Sequence, residues 1–252
     1  MSEYSISRKQ VNGQRYYQVK ENSGDILGLF PSITTVLGAT SDKSGLERWR
    51  QQVGEAEAKR ISELSMNRGT VMHRLIELYK SFQGDPDECL EQLKVIASTD
   101  TEINQYAGDE NGALWLAEGW IMFMKFWNNQ PKFFKRVNEV LEAETFLWSK
   151  IGYAGTVDNI SKMNDDRVLI IDYKNSRKPK REDWIHDYFV QASAYWVAYW
   201  ERSGTKPDGV EIWIANEKQD TPQIFKLENV DVKYYFKEFT ERLETFKEMH
   251  NI

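Results

Sequence analysis

The chain has 252 residues, with 33 Lys and Arg against 39 Asp and Glu, which gives a formal charge of −6 with histidine neutral. That length allows a core burying roughly 70–75% of the surface an unfolded chain exposes, and the single cysteine, Cys89, excludes a disulfide framework, a four-cysteine metal site and an iron–sulfur cluster. Hydrophobic residues make up 40% and no apolar run approaches the roughly 20 residues of a membrane span, so a soluble protein with no membrane partner is expected. Residues 1–10 have neither the apolar stretch of a signal peptide nor the Arg-rich, acid-poor character of a transit peptide, which predicts a cytosol-like compartment.

Residues 8–18 read as strand, turn and strand around Asn12-Gly13, a pair that favours the tight turn of a hairpin. A second short strand at 26–30 ends at Pro31, and Ser32 then caps a short helix with Ile33, Val36 and Leu37 on one side. Helical spacing runs over 44–64 and again over 67–82, and Gly84-Asp85-Pro86 closes that region. Residues 88–97 form a weaker helical segment, and the polar stretch 98–112 reads as a loop or a disordered crossing. A deeply buried helix is expected at 113–129, ended by Pro131. The period then changes from 3.6 to 2, and 137–148, 153–163 and 168–173 read as three consecutive strands, the last two joined by a turn at 164–167. A long helix at 182–202, strands at 210–215 and 223–227 around a turn at 217–222, and an amphipathic helix at 234–249 complete the chain. The order predicts an α/β fold with a mixed central sheet flanked by helices. One domain over 1–252 is expected, with the hairpin and helical region in 1–130 and the sheet core in 131–252.

Asp158 lies in the second of the three strands, and Asp172 and Lys174 end the third. Strands joined by a short turn are neighbours, so both carboxylates reach one end of the sheet, and Lys174 shares a face with Asp172. Hard oxygen ligands for one or two Mg²⁺ or Mn²⁺ ions, beside a fixed cation, are what metal-assisted phosphodiester cleavage requires. The apolar run Val168-Leu-Ile-Ile leads straight into these charges, which are costly there unless paired or metal-bound; an ion pair alone would meet that condition too. His73 has Glu77 one helical turn on and is either a satisfied structural histidine or a ligand for Mn²⁺. Glu144, in the first strand, is a ligand, a support for the ligands or a solvated edge residue. Gln191 and Tyr195, one turn apart, serve the site or a phosphate, with core packing the alternative for Tyr195. Lys174, Arg177, Lys178, Lys180 and Arg181 put five cations into eight residues, and Trp184, Tyr188 and Phe189 follow. A positive groove with aromatic platforms holds single-stranded DNA without reading its sequence, whereas the bland alternative is a solvated loop.

His73 in Gly69-Thr-Val-Met-His73, Glu144, Gly155-Thr-Val-Asp158, Asp172-Tyr-Lys174 and Gln191-Ala-Ser-Ala-Tyr195 occur in the order found in the PD-(D/E)XK nuclease superfamily, and the chain resembles its RecB-like exonuclease branch. Similarity to the mitochondrial genome maintenance exonucleases extends through Pro31-Ser-Ile-Thr-Thr-Val-Leu37, Leu46-Glu-Arg-Trp49, residues 171–180 and the helix that carries Gln191, and so spans most of the chain. The resemblance implies a restriction-endonuclease-like core and Mg²⁺- or Mn²⁺-dependent hydrolysis of DNA, preferentially single-stranded and from free ends, in replication, recombination or repair. It implies metal binding by His73, Asp158, Asp172 and the carbonyl of Tyr173, with Lys174 as the catalytic lysine, Glu144 in support and Ser176 against a phosphate. The DNA-binding set is then Ser176, Arg177, Lys178, Lys180, Arg181, Trp184, Gln191 and Tyr195. Val157 stands where many relatives carry proline before the first aspartate, and the cysteines of iron–sulfur relatives are absent. With no transit peptide, a bacterial or phage protein working in the bacterial cytosol or infected host beside replication or recombination proteins is expected. The rival readings are a catalytically inactive DNA-binding accessory with the same fold and a flap- or RNA-cleaving nuclease.

Overall fold

Asn12 and Gly13, at φ 51° and 76°, turn strand β1 (Tyr4–Val11) into β2 (Gln14–Glu21) as their chemistry predicts. This is a computed structural model that describes residues 4–80 and 85–251. Strand β3 (Ile26–Pro31) pairs with β2 to complete a three-stranded antiparallel sheet, and a bridge between Ser32 and Ala154 ties its end to a larger sheet. The Ser32 hydroxyl accepts from the Thr35 amide at 2.9 Å and caps α1 (Ile33–Thr40), whose Ile33, Val36 and Leu37 are buried.

Helices α2 (Ser44–Val53) and α3 (Glu55–Lys80) meet at Gly54. The break therefore falls there rather than at 65–66, because Gly54 at φ 84° takes a backbone conformation that costs glycine little. The expected end of α3 at Phe82, and Gly84 beyond it, lie outside the described residues. Asp85 caps α4 (Pro86–Ala97) through the amides of Asp87 and Glu88. Residues 98–112, expected as a loop or a disordered crossing, are ordered by a charge pair and a buried side chain. Asp100 caps the single-turn α5 (Thr101–Asn104) and accepts from Arg74 Nε at 3.0 Å and Nη2 at 2.7 Å, while Ile103 is buried. Helix α6 (Gly112–Trp127) crosses α3 at Gly119, where a Cβ would lie 2.4 Å from Val71 Cγ1.

The larger sheet holds β4 (Val137–Ser149), β5 (Tyr153–Met163), β6 (Val168–Ser176), β7 (Gly209–Asn216) and β8 (Gln219–Glu228), in that spatial order. All its pairings are antiparallel except β6 with β7, which α7 (His186–Ser203) connects by a crossover. The expected helix over 182–202 is split. A one-turn 3₁₀ segment, Glu182–Trp184, precedes α7, with non-helical Ile185 between them. Strands β7 and β8 are joined at Glu217 and Lys218, so Pro222, expected in the turn, lies in the edge strand β8, where proline is tolerated. Helix α8 (Asn229–His250) closes the chain.

Alternation along β6 and β7 divides two cores. Ile170, Val210, Ile212 and Ile214 pack with α1, α7 and α8, while Leu169, Ile171, Tyr173 and Trp213 pack with α3, α4 and α6. A sheet covered on both faces explains the continuous apolar run of β6 and matches the mixed, helix-flanked architecture of a restriction-endonuclease-like core. Among the described residues no helix is long and apolar enough to cross a membrane.

Candidate active site

Regular pairing between β5 and β6 ends at Asn159 and Ile171, and Asp158 and Asp172 are the next residues on the two parting strands. The Tyr173 amide donates to Asp158 Oδ2 at 2.8 Å, so the carboxylate takes up a backbone donor that the ladder has released. The Tyr173 carbonyl in turn accepts from Nε2 of His73 at 2.8 Å. A carbonyl can only accept, so Nε2 carries a proton and ring nitrogen Nδ1 is the one directed to the carboxylates. Nδ1 lies 3.6 Å from Asp158 Oδ2 and 3.9 Å from Glu144 Oε1.

Glu144 reaches this point through an unusual backbone. At φ 46° it is the one non-glycine residue inside a strand with positive φ among the described residues, since Asn12, Asp166 and Asn251 sit in turns or a helix cap. Such a conformation costs about 1–3 kcal/mol and persists where its surroundings hold it, typically at functional sites. His73, Glu144 and Asp158 each offer a ligand atom within 4.8 Å of the others, and one imidazole nitrogen with two carboxylates suits Mn²⁺ or Mg²⁺. The donor set therefore fits a hard divalent ion.

Asp172 and Lys174 point to the opposite face of β6 from Tyr173, toward α7. Asp172 is 1% exposed, and its Oδ2 lies 2.5 Å from Lys174 Nζ. Gln191, on α7, donates to Asp172 Oδ1 at 3.5 Å and to the Tyr195 hydroxyl at 3.3 Å, while Lys174 Nζ stands 5.3 Å from the centre of the Tyr188 ring. Burial pushes the Asp172 carboxyl up to about 6 against the pull of Lys174, and the charge of Asp158 adds to the rise. Burial disfavours the Lys174 charge as well, yet Asp172 and Asp158 outweigh it and hold its pKa above the ordinary lysine value. For His73 burial works downward, and the carboxylates of Asp158 and Glu144 prevail to raise it. The result is a dense, mutually dependent group of charges, the kind of environment that marks functional sites.

A cleft of about 680 Å³ opens over His73, Glu144 and Asp158, with Gln191 and Tyr195 on its wall. A second hollow of about 420 Å³ meets it at Ser65 and Asn175 and is bordered by Arg177, Lys178, Lys180 and Trp184. Of the residues expected to contact DNA, those four thus lie together on the hollow that adjoins the carboxylate cleft, while Gln191 and Tyr195 line the cleft itself. Arg181 is turned away, donating to Asp183 at 3.0 Å and lying over the Trp184 ring at 5.5 Å. Ser176 borders the hollow, but its hydroxyl donates to the Lys178 carbonyl at 2.7 Å and so shapes the turn. Lys180 is tied by its backbone to Gln223, and burial lowers its pKa.

One contributor escapes sequence reasoning. Arg68 is fully buried, donates from Nε to Asn175 Oδ1 at 2.7 Å and from Nη1 to Glu217 at 2.5 Å, and so fastens α3 to the residue after Lys174. Gly69 permits this contact, since a Cβ there would lie 2.6 Å from Asn175 Nδ2. The only signal in the sequence is an arginine next to a glycine within a helical pattern, and its partner, 107 positions away, cannot be read from it.

The sequence profile of the PD-(D/E)XK nuclease superfamily matches residues 12–251. No curated protein sequence matches the chain significantly. Among solved structures, the crystal structure of SSO0001 aligns with 68% of this chain and 84% of its own at 11% identity and a TM-score of 0.33, a likeness too distant to carry any argument.

Proposed function

The chain belongs to the PD-(D/E)XK nuclease superfamily, and from that premise we propose that it is a metal-dependent exodeoxyribonuclease of the RecB-like branch, akin to the mitochondrial genome maintenance exonucleases, with a preference for single-stranded DNA. Its setting is DNA replication, recombination or repair in the cytosol of a bacterium or phage-infected host. The observation that carries this reading is the meeting of His73, Glu144 and Asp158 beside a buried Asp172–Lys174 pair, at the point where β5 and β6 part.

His73, Glu144 and Asp158 would hold a Mg²⁺ or Mn²⁺ ion, with Asp172 and the Tyr173 carbonyl adjoining them. Such an ion, when bound, supplies a Lewis acid and makes its water more acidic. The Tyr173 backbone does the orienting: its amide holds Asp158 and its carbonyl holds the Nε2 proton of His73, which leaves Nδ1 facing the carboxylates. Asp172 fixes the Lys174 ammonium, and Gln191 makes a long amide contact to Asp172 at 3.5 Å. Lys174 remains protonated beside the site, so it provides a preorganised positive charge for the phosphate under attack and a donor that orients the incoming water. Arg177, Lys178 and Lys180 take the strand's phosphates, and the exposed ring of Trp184 takes a base.

The test is release of end label from single-stranded and duplex DNA of one sequence, with Mg²⁺, Mn²⁺ or EDTA, for the parent protein and Asp172→Ala. Metal-dependent release that the substitution abolishes, faster on the single strand, is the expected result. Binding without hydrolysis in either ion would identify a nuclease-fold binding protein, and equal rates on matched RNA would remove the restriction to DNA.

A further inference from the structure

Two guanidinium groups in the first cleft take no part in the reading above. Arg8 and Arg15 line it with Phe146, and neither borders the hollow that holds Arg177, Lys178 and Lys180. The hairpin register puts them there. Arg8 stands opposite Tyr17 and Gln10 opposite Arg15, so Arg8, Arg15 and Tyr17 share one face of the small sheet. Tyr17 fastens that face to the large sheet, its hydroxyl 3.0 Å from Thr156 Oγ1 and its ring edge-on to Phe146 at 5.5 Å. Thr156 stands two residues before Asp158 on β5, and Phe146 two after Glu144 on β4, so the arginine-bearing face adjoins the carboxylates.

The state of these charges is informative. Arg74, in the same cleft, is committed to Glu77 and Asp100. Among the described residues neither Arg8 nor Arg15 has a hydrogen bond or ion pair through its guanidinium. Two unneutralised cations at the edge of an acidic cluster attract an anion that the carboxylates alone would repel. Guanidinium suits phosphate by its paired donors, and Phe146, 37% exposed and lining the same cleft, offers a ring on which an unpaired base can stack.

We infer that Arg8 and Arg15 form a phosphate clamp for a single nucleic-acid strand, engaging it at the cleft that the 177–180 segment does not reach. The inference rests on the nuclease reading for the strand itself. It makes the N-terminal hairpin part of the substrate surface, with contacts on two separate elements around the carboxylates.

The test is equilibrium binding of a labelled single-stranded oligonucleotide in EDTA over a range of KCl concentrations. The parent is compared with Arg8→Ala/Arg15→Ala, Arg8→Lys/Arg15→Lys and Lys9→Ala, with thermal unfolding of each as the folding control. Lys9 lies on the other face of β1, opposite Tyr16, and its substitution removes one charge of the same sign from outside the cleft, as each single arginine substitution does within it. The double alanine variant should lose about 1.4 from the slope of log K against log salt, at roughly 0.7 per phosphate contact to a single strand. The double lysine variant should keep most of the slope, and Lys9→Ala should match the parent. A parent-like slope in a folded double alanine variant, or in Arg8→Ala and Arg15→Ala singly, would overturn the clamp. Because no metal is present, the outcome is independent of catalysis: a slope reduced in the double alanine variant of a protein that never hydrolyses DNA sinks the nuclease reading and leaves the clamp, whereas an unchanged slope in that variant of a protein that does hydrolyse DNA sinks the clamp alone.

Discussion

Asp172 and Glu211 sit on adjacent strands of one sheet, each 1% exposed, and their surroundings drive them in opposite directions. Arg136 meets Glu211 with two parallel hydrogen bonds of 2.8 and 2.6 Å, Trp213 Nε1 adds a third at 2.8 Å, and these donors overcome burial to hold the carboxyl below its ordinary value. Asp172 has one ammonium at 2.5 Å and a weak amide contact, and it shares its neighbourhood with Asp158, so burial and like charge raise it. A buried carboxylate whose lone pairs are filled by fixed donors is structure. One left with negative neighbours and too few cations is poised for a positive ligand, and that difference separates the two faces of this sheet, since Glu211 pairs with Ile171 and Asp172 with Ile212.

Exchanging the amide for the acid at each position should give opposite results. Asp172→Asn should cost hydrolysis on the order of 10³-fold or more, because both the ion site and the Lys174 position depend on the charge; turnover above a tenth of the parent's would refute the assignment. Glu211→Gln should leave turnover of the folded protein within about threefold yet lower unfolding stability by about 2–4 kcal/mol, since it strands the Arg136 charge. Urea unfolding of both variants beside end-label assays would reveal any mixing of the two roles.

Lys174→Met should cost about 10²–10³ in rate, the usual loss on removing one preorganised donor. Single-turnover kinetics at saturating DNA would check this apart from binding.

The two carboxyls also differ in their pH response without metal. The stability Asp172 contributes is fully present below the ordinary aspartate value of 3.8 and is lost as pH rises through about 6, because its folded pKa is raised. Glu211 contributes stability above the ordinary value of 4.5 that is lost as pH falls through its lowered folded pKa. Melting temperature against pH in EDTA should therefore lose its decline between about 4 and 6 in Asp172→Asn and its acid-side rise in Glu211→Gln. Added Mn²⁺ at a hundred times its dissociation constant should stabilise the parent by about 2.7 kcal/mol and leave Asp158→Ala nearly unmoved.

The smallest effect belongs to charges on the surface. Neutralising Arg177, Lys178 and Lys180 should change unfolding stability by less than about 0.5 kcal/mol, while reducing the salt slope of single-strand binding by roughly 0.7 per lost contact. A stability loss as large as that of Glu211→Gln would place those cations in the structural class.

Much of this arrangement is legible in order of residues. Asn12-Gly13, Ser32 and the switch from period 3.6 to 2 near residue 137 act through local sterics and hydrogen bonding, so the hairpin, the first cap and the order of the sheet strands follow directly. The Asp172–Lys174 pairing follows likewise, because residues two apart on a strand share a face. Residues 98–112 mislead because their polarity is that of a loop, while the Arg74 that orders them lies 26 positions upstream of Asp100. The helix break at Gly54 was obscured by apolar spacing that continues across it, and Pro222 resembled a turn residue although an edge strand accommodates it.

The sequence by itself determined the α/β order and the residues able to carry the chemistry, because turn, cap and periodicity rules operate within a few residues. The tertiary structure alone decided how those residues share the work. It brought Glu144 within reach of His73 and Asp158 through a left-handed backbone, turned Asp172 to Lys174, bent Arg181 away to Asp183, and set the hairpin arginines in the cleft that Glu144 and Asp158 line. Each of these depends on groups that the chain separates and only packing rejoins, so the balance of burial against charge has no value until the fold supplies the distances.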